Sequence, residues 1–182
     1  MPKKIIFLDR DGVINEDTGY VYKKNDFVFK EGIFELLTSL KNDYEFIIIT
    51  NQSGIGRGFY TENDYQKLTA WMRMEFLRKD IHFLEILHCP HTPEESCQCR
   101  KPKPTLITKT KLKYNIDKEN SWLIGDKASD IECAKNAGIK NRIFLTSARY
   151  EMPREELRFF VVGSLGEANN KIEQMNTIGI IQ

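Results

Sequence analysis

The stretch Ile5-Ile6-Phe7-Leu8-Asp9-Arg10-Asp11-Gly12 decides the reading of this chain. Four apolar residues stop abruptly at three charged ones and a glycine. Such a run reads as a short buried strand whose carboxyl end carries two acids. Pro2-Lys3-Lys4 ahead of it gives the outline of a signal peptide. A four-residue run that ends in Asp9-Arg10-Asp11 is too short to be the apolar core of one.

Outward from this strand the same rhythm repeats. Phe46 to Ile49, Ile86-Leu87 and Trp122 to Ile124 read as further strands, and Arg142 to Leu145 and Phe159 to Val162 as two more. Between them, Phe34 to Lys41, Glu62 to Lys79, Pro104 to Lys113 and Ser129 to Ala137 read as helices. Tyr65, Leu68, Met72 and Phe76 recur at three- and four-residue steps, which makes a stripe for core packing. Thr61-Glu62-Asn63-Asp64 offers a capping box, and Gly138 a helix stop. Strands alternating with helices predict an α/β fold, a doubly wound, Rossmann-like parallel sheet. Residues 1–182 read as one domain without repeats, and the last six are expected to fray.

In such sheets a ligand sits beyond the carboxyl ends of the strands. The residues at those ends are Asp9, Thr50 and Gly125-Asp126. Asp9 and Asp11 suit a nucleophile toward phosphorus and an acid that serves the leaving oxygen. Asp-Gly pairs are also ordinary turn residues, and Gly12 permits the turn. Thr50-Asn51-Gln52-Ser53 supplies hydroxyls, amides and N–H groups that can hold phosphoryl oxygens. Gly54, Gly56 and Gly58 follow, with Arg57 among them, but their spacing is not that of a dinucleotide fingerprint. Arg100-Lys101-Pro102 adds cations: Lys101 to neutralise a transferring phosphoryl group, Arg100 to grip a distal phosphate or sugar hydroxyls. Asp126 should reach a cation shared with Asp9, for which Mg²⁺ is the natural choice. Asp130 follows four residues later, as a supporting group or a helix cap, and Lys127 pairs with Asp9 or holds a substrate oxygen.

Three of the four cysteines fall within eleven residues, in Cys89-Pro90-His91 and Cys97-Gln98-Cys99. Three thiolates and one imidazole suit a closed, structural Zn²⁺ site that fixes the loop presenting Arg100 and Lys101. His88 is a competing ligand by position, and Cys133 reads as a buried helix residue. A redox-active thiol pair is the rival reading.

Net charge is +1, which gives no reason to expect nucleic acid or an anionic membrane as partner. No apolar run approaches the length of a membrane span. A cytoplasmic location is expected.

Taken together, Asp9-x-Asp11-Gly12, Thr50 after a strand, Lys101, and Gly125-Asp126 with Asp130 resemble the haloacid dehalogenase superfamily of phosphotransferases. Within it the chain resembles the family of heptose 1,7-bisphosphate 7-phosphatases and their histidinol-phosphatase relatives. The residues that carry this are the first stretch, Gly19-Tyr20-Val21, the run from Thr50 to Gly58, the two cysteine motifs with Arg100-Lys101-Pro102, and Gly125-Asp126-Lys127. The resemblance implies Asp9 as nucleophile and Asp11 as acid/base, with Thr50 and Lys101 completing the catalytic set. It implies Mg²⁺ on the Asp9 and Asp126 side chains and the Asp11 carbonyl. It implies a haloacid dehalogenase-type sheet with a zinc-binding loop and no separate cap domain. Asp17-Thr18-Gly19-Tyr20 and the zinc loop would then enclose a phosphorylated sugar, with Asn51, Gln52, Ser53, Arg57, Arg100 and Lys127 as further contacts. A monomer working in surface-glycan or lipopolysaccharide synthesis is the expectation. Histidinol phosphate is the alternative substrate, and a non-catalytic phosphosugar-binding module the alternative of another kind.

Overall fold

Neighbouring residues of the first strand face opposite cores, and this sets the layering. In the computed structural model, which describes residues 2–180, β1 spans Ile5–Leu8. Ile6 and Leu8 join one apolar cluster, Ile5 and Phe7 the other, and all four are fully buried. A strand covered on both faces must be apolar on both, which is why the run does not alternate with polar residues.

The remaining strands are β2 (Glu45–Asn51), β3 (Phe83–Cys89), β4 (Trp122–Gly125), β5 (Asn141–Leu145) and β6 (Phe160–Val162). All pair in parallel in the order β3-β2-β1-β4-β5-β6. The order reverses between β1 and β4, which opens a crevice at their carboxyl ends. Helices α1 (Ile33–Leu40), α3 (Glu62–Leu77) and α6 (Leu165–Ile180) cover one face, and α4 (Thr105–Lys113) and α5 (Ala128–Asn136) the other. A one-turn helix, α2 (Ser53–Gly56), follows β2. The described residues contain no inserted domain after β1 or β2; those connections hold only loops, α1, α2 and α3.

The stripe Tyr65, Leu68, Met72 and Phe76 is buried. Burying each such side chain contributes about 1.5–3 kcal/mol. The capping box at Thr61 forms: its Oγ1 accepts from the Asp64 N–H at 3.1 Å, and Asp64 Oδ2 accepts from the Thr61 N–H at 2.9 Å. Gly138 stands just past α5 with φ +76°, as a helix stop requires.

One expectation needs correction. Helix α6 was not read from the sequence, and it runs to Ile180, so residues 177–180 are helical rather than frayed. Residues 181–182 lie outside the described residues. His82 Nε2 lies 3.3 Å from Asp80 Oδ1.

Candidate active site and metal centre

The parallel register brings the acids together. Leu8 pairs with Ile124, and the Asp9 N–H donates to the Ile124 carbonyl at 3.1 Å. Asp9 and Asp126 therefore leave neighbouring strands at the same level. Both are buried, with Asp130 beside them. One ligand oxygen from each of the three lies within 4.8 Å of the others.

Lys101 holds this cluster from the side. Its Nζ lies 2.9 Å from Asp9 Oδ1 and 2.6 Å from Asp130 Oδ1, and it donates to the Ile49 carbonyl at 2.9 Å. Burial alone would push the Asp9 carboxyl up. The ammonium groups of Lys101 and Lys127, with the Arg10 N–H on Oδ1 at 2.8 Å, outweigh it and hold Asp9 below the usual carboxylate range. Burial pulls the Lys101 ammonium down, but Asp130 and Asp9 more than reverse this, so it stays charged. Asp130 does both things expected of it. It pairs with Lys101, and its Oδ2 accepts the Lys127 N–H at 3.1 Å to cap α5.

Asp126 is different. Neither of its buried oxygens has a hydrogen-bond partner. Burial, then the charge of Asp9, pushes its carboxyl up to about 7. A buried carboxylate oxygen without a donor is costly unless a cation meets it. Lys127 Nζ lies 3.4 Å from Asp126 Oδ1, 3.5 Å from Asp9 Oδ2 and 3.3 Å from the Asp11 carbonyl. These three oxygens are all hard donors, so they fit Mg²⁺. Gly12 is what lets Asp126 in: with φ +96°, a Cβ there would stand 2.0 Å from Asp126 Oδ2.

Asp11 is oriented by Arg10 and Gln52. Arg10 is buried and donates Nη2 to both Asp11 oxygens, at 2.8 and 3.0 Å, and to the Val21 carbonyl at 2.7 Å. Gln52 Nε2 donates to Asp11 Oδ2 and to Thr50 Oγ1, both at 2.9 Å, while Gln52 Oε1 accepts from the Tyr60 hydroxyl at 2.6 Å. In "D-x-D" the middle residue looks like a spacer; here it is a guanidinium clamp.

The groups open on a cleft of about 320 Å³. Asp9, Asp11, Asp17, Gly19, Tyr20, Asn51, Gln52, Ser53, Arg100, Lys101 and Lys127 line it, as do Tyr60, Ser129, Arg149 and Tyr150, which no motif marks. Thr18, Thr50 and Arg57 are not among its lining residues. Thr50 is fully buried behind Gln52, and Arg57 turns to Glu94 at 3.6 Å. Asn51 ties the cation loop to β2: its Oδ1 accepts the Lys101 N–H at 3.1 Å and its Nδ2 donates to the Lys101 carbonyl at 3.3 Å.

Next to the cleft, Cys89, His91, Cys97 and Cys99 converge within 4.8 Å. Cys89 and Cys97 sulfurs are 3.5 Å apart, Cys97 and Cys99 3.6 Å, Cys89 and Cys99 3.0 Å, and His91 Nδ1 is 3.2 Å from Cys99 Sγ. Zn–S bonds of ~2.3 Å at the tetrahedral angle put sulfurs about 3.7 Å apart. These separations suit a four-ligand metal site, and the cysteines are free thiols rather than disulfides. Burial pushes the Cys89 thiol up, whereas hydrogen bonds from Cys89 and from the Arg100 and Cys99 backbone outweigh burial at Cys97 and bring it to about 7. His88 is excluded from the cluster. It stacks on Tyr65 at 4.1 Å and meets Glu62 Oε2 at 3.0 Å. Cys133 is buried in α5, as expected.

A model of the haloacid dehalogenase-like hydrolase family matches residues 13–143, well over half of the chain. The chain belongs to that family. Among its relatives, a D-glycero-beta-D-manno-heptose-1,7-bisphosphate 7-phosphatase from Helicobacter pylori strain J99 is 49% identical over 82% of this chain and 87% of the relative. A D-glycero-alpha-D-manno-heptose-1,7-bisphosphate 7-phosphatase from Campylobacter jejuni is 47% identical over 83% of this chain and 87% of its own length. Among solved structures, a D,D-heptose 1,7-bisphosphate phosphatase from B. bronchiseptica, complexed with magnesium and phosphate, superposes with a TM-score of 0.83. It shares 26% identity and covers 94% of this chain and 99% of its own. No described helix is long and apolar enough to cross a membrane.

Proposed function

We propose that this chain is a phosphatase that removes the 7-phosphate of D-glycero-D-manno-heptose 1,7-bisphosphate by way of an aspartyl-phosphate on Asp9. One observation carries the reading. A charged carboxylate, a second acid and four cations open on one cleft, in a chain whose near relatives bear that activity as their name.

Asp9 attacks phosphorus as the bond to the sugar oxygen breaks, and Asp11 gives that oxygen its proton. The Asp11 carboxylate then takes a proton from water, whose oxygen attacks the acyl-phosphate. Inorganic phosphate leaves and Asp9 is restored. Arg10 and Gln52 hold Asp11 in place for both transfers. Lys101 orients Asp9 and offsets charge on the phosphoryl oxygens, while Asn51 and Ser53 stand at the wall to receive them. Mg²⁺ held by the Asp9 and Asp126 side chains and the Asp11 carbonyl would supply further charge neutralisation. Zn²⁺ on the three thiolates and His91 would be structural, since all four positions are filled. A reducing, cytoplasmic setting that keeps thiols free belongs to the same reading, as does action as a monomer.

The test is a substrate panel with Mg²⁺: both anomers of the heptose bisphosphate against histidinol phosphate. The bisphosphate should exceed histidinol phosphate in kcat/KM by about 100-fold or more, since a site with cations placed for a second phosphate leaves them unpaired without one. The reverse order would overturn the assignment. The names of the relatives divide between the anomers, so the panel also fixes which one is preferred.

A further inference from the structure

Two arginines reach the cleft from opposite sides of the point where strand order reverses. Arg100 comes from the loop after β3, and Arg149 from the loop after β5. Arg149 lies beyond the stretch that the family model matches.

Arg149 is held by built contacts. Its Nη1 donates to the Asp17 carbonyl at 2.7 Å, and its Nη2 lies 3.3 Å from where a Cβ on Gly19 would stand. A side chain at 19, where φ is +87°, would be strained and would crowd the guanidinium. Next to it, the Tyr150 hydroxyl donates to Asp17 Oδ2 at 2.7 Å, and the Lys127 ammonium stands 4.6 Å from the Tyr150 ring centre. Asp17 thus ties the loop after β1 to the loop after β5.

The charges of the two lysines are already spoken for. Lys101 is paired with Asp9 and Asp130, and Lys127 with Asp9, Asp17 and Asp126. Among the described residues Arg149 meets only the Asp17 carboxylate, at 3.6 Å, and that carboxylate also serves Lys127 and Tyr150. About half of the Arg149 side chain is exposed to the cleft and solvent. Arg100 is anchored through Nη1 to the His91 carbonyl at 3.2 Å, and no carboxylate among the described residues forms an ion pair with it. A guanidinium has five donors, so each arginine keeps several free for an anion.

From this we infer that Arg149, together with Arg100, grips the phosphate that is not hydrolysed, and that Asp17 and Tyr150 position Arg149 for it. This rests on the bisphosphatase reading. The substrate class is a sugar carrying two phosphates, one presented to Asp9 and one held between the two loops.

The experiment compares heptose 1,7-bisphosphate with heptose 7-phosphate, which lacks the second phosphate, in wild type, Arg149→Met and Arg149→Lys. Loss of a charge-assisted contact to a phosphate should cut the wild-type preference for the bisphosphate about tenfold or more in Arg149→Met, mainly through KM. Arg149→Lys should restore part of it. A preference that survives Arg149→Met, or a loss equal on both substrates, overturns the inference and leaves the bisphosphatase reading standing. A wild type that shows no preference for two phosphates overturns that reading, and the inference with it. Thermal melts confirm that both variants are folded, and a folded Arg149→Lys alone suffices to read the shift in preference.

Discussion

The molecule gathers ligand atoms in two neighbouring places, and it does so by opposite means. The carboxylates come from residues more than a hundred positions apart, Asp9 and Asp126, set level by the pairing of β1 with β4. The thiolates and imidazole come from residues 89–99, a single loop beyond β3. The first site is a product of the sheet, and two lysines already offset its charge. The second has no strand pairing beyond Cys89 to hold it. The lesson is that the carboxylate site should survive loss of its ion as a structure, whereas the thiolate loop should owe its shape to its ion.

The largest effect expected from breaking this contrast is at Asp9. Asp9→Asn should lower phosphate release by roughly a thousandfold or more, since the nucleophile is gone. Its melting temperature should stay within a few degrees of wild type. Retained turnover would remove Asp9 from the mechanism.

Next is Cys97→Ser. Metal analysis of the wild type should find about one zinc per chain, and the variant much less. Activity should fall about 10–100-fold, because the loop that presents Arg100 loosens. Hydrogen exchange should rise in the loop from 89 to 104 while β1 and β4 remain protected. A rise throughout the sheet would erase the distinction between the two sites.

The smallest effect sharpens it. The Asp126 carboxyl is raised in the folded protein to about 7, from an ordinary value near 4. A raised acid costs nothing below pH ~4, where both states are protonated. The cost grows as pH rises from about 4 to 7, and is constant above. In Mg²⁺-free buffer, Asp126→Asn should therefore be more stable than wild type at pH 8, by on the order of 2 kcal/mol, and equal to it near pH 4. Added Mg²⁺ should raise the melting temperature of wild type only. A variant less stable than wild type at pH 8 without Mg²⁺ would show that Lys127 fully compensates Asp126.

Much of the carboxylate site was legible because strand ends carry it. Ile5–Leu8 and Trp122–Gly125 read as strands from sequence, which puts Asp9 and Asp126 at carboxyl ends, and the pairing of these two strands sets them side by side. The thiolate site was legible from spacing alone. Alternation could also have excluded His88: successive side chains of a strand face opposite ways, so Cys89 facing the cluster turns His88 from it. Arg149, Tyr150 and Tyr60 were not legible, because they lie in loops without a motif and reach the cleft only through the path of the chain. Helix α6 was missed for another reason. Its three asparagines, two glycines and one threonine are weak helix formers, and tertiary contacts hold it instead. Ser39 Oγ donates to Asn169 Oδ1, and the Tyr44 hydroxyl to Asn176 Oδ1, both at 2.7 Å.

The amide of Asn51 grips Lys101 at both its N–H and its carbonyl. This two-point splice fixes the lysine to the sheet independently of the chain that leads up to it. Insertions or deletions between Cys89 and Arg100 can therefore lengthen or shorten the rim without displacing the ammonium from Asp9. The rim is free to diversify toward new substrates while the reaction beneath it stays the same.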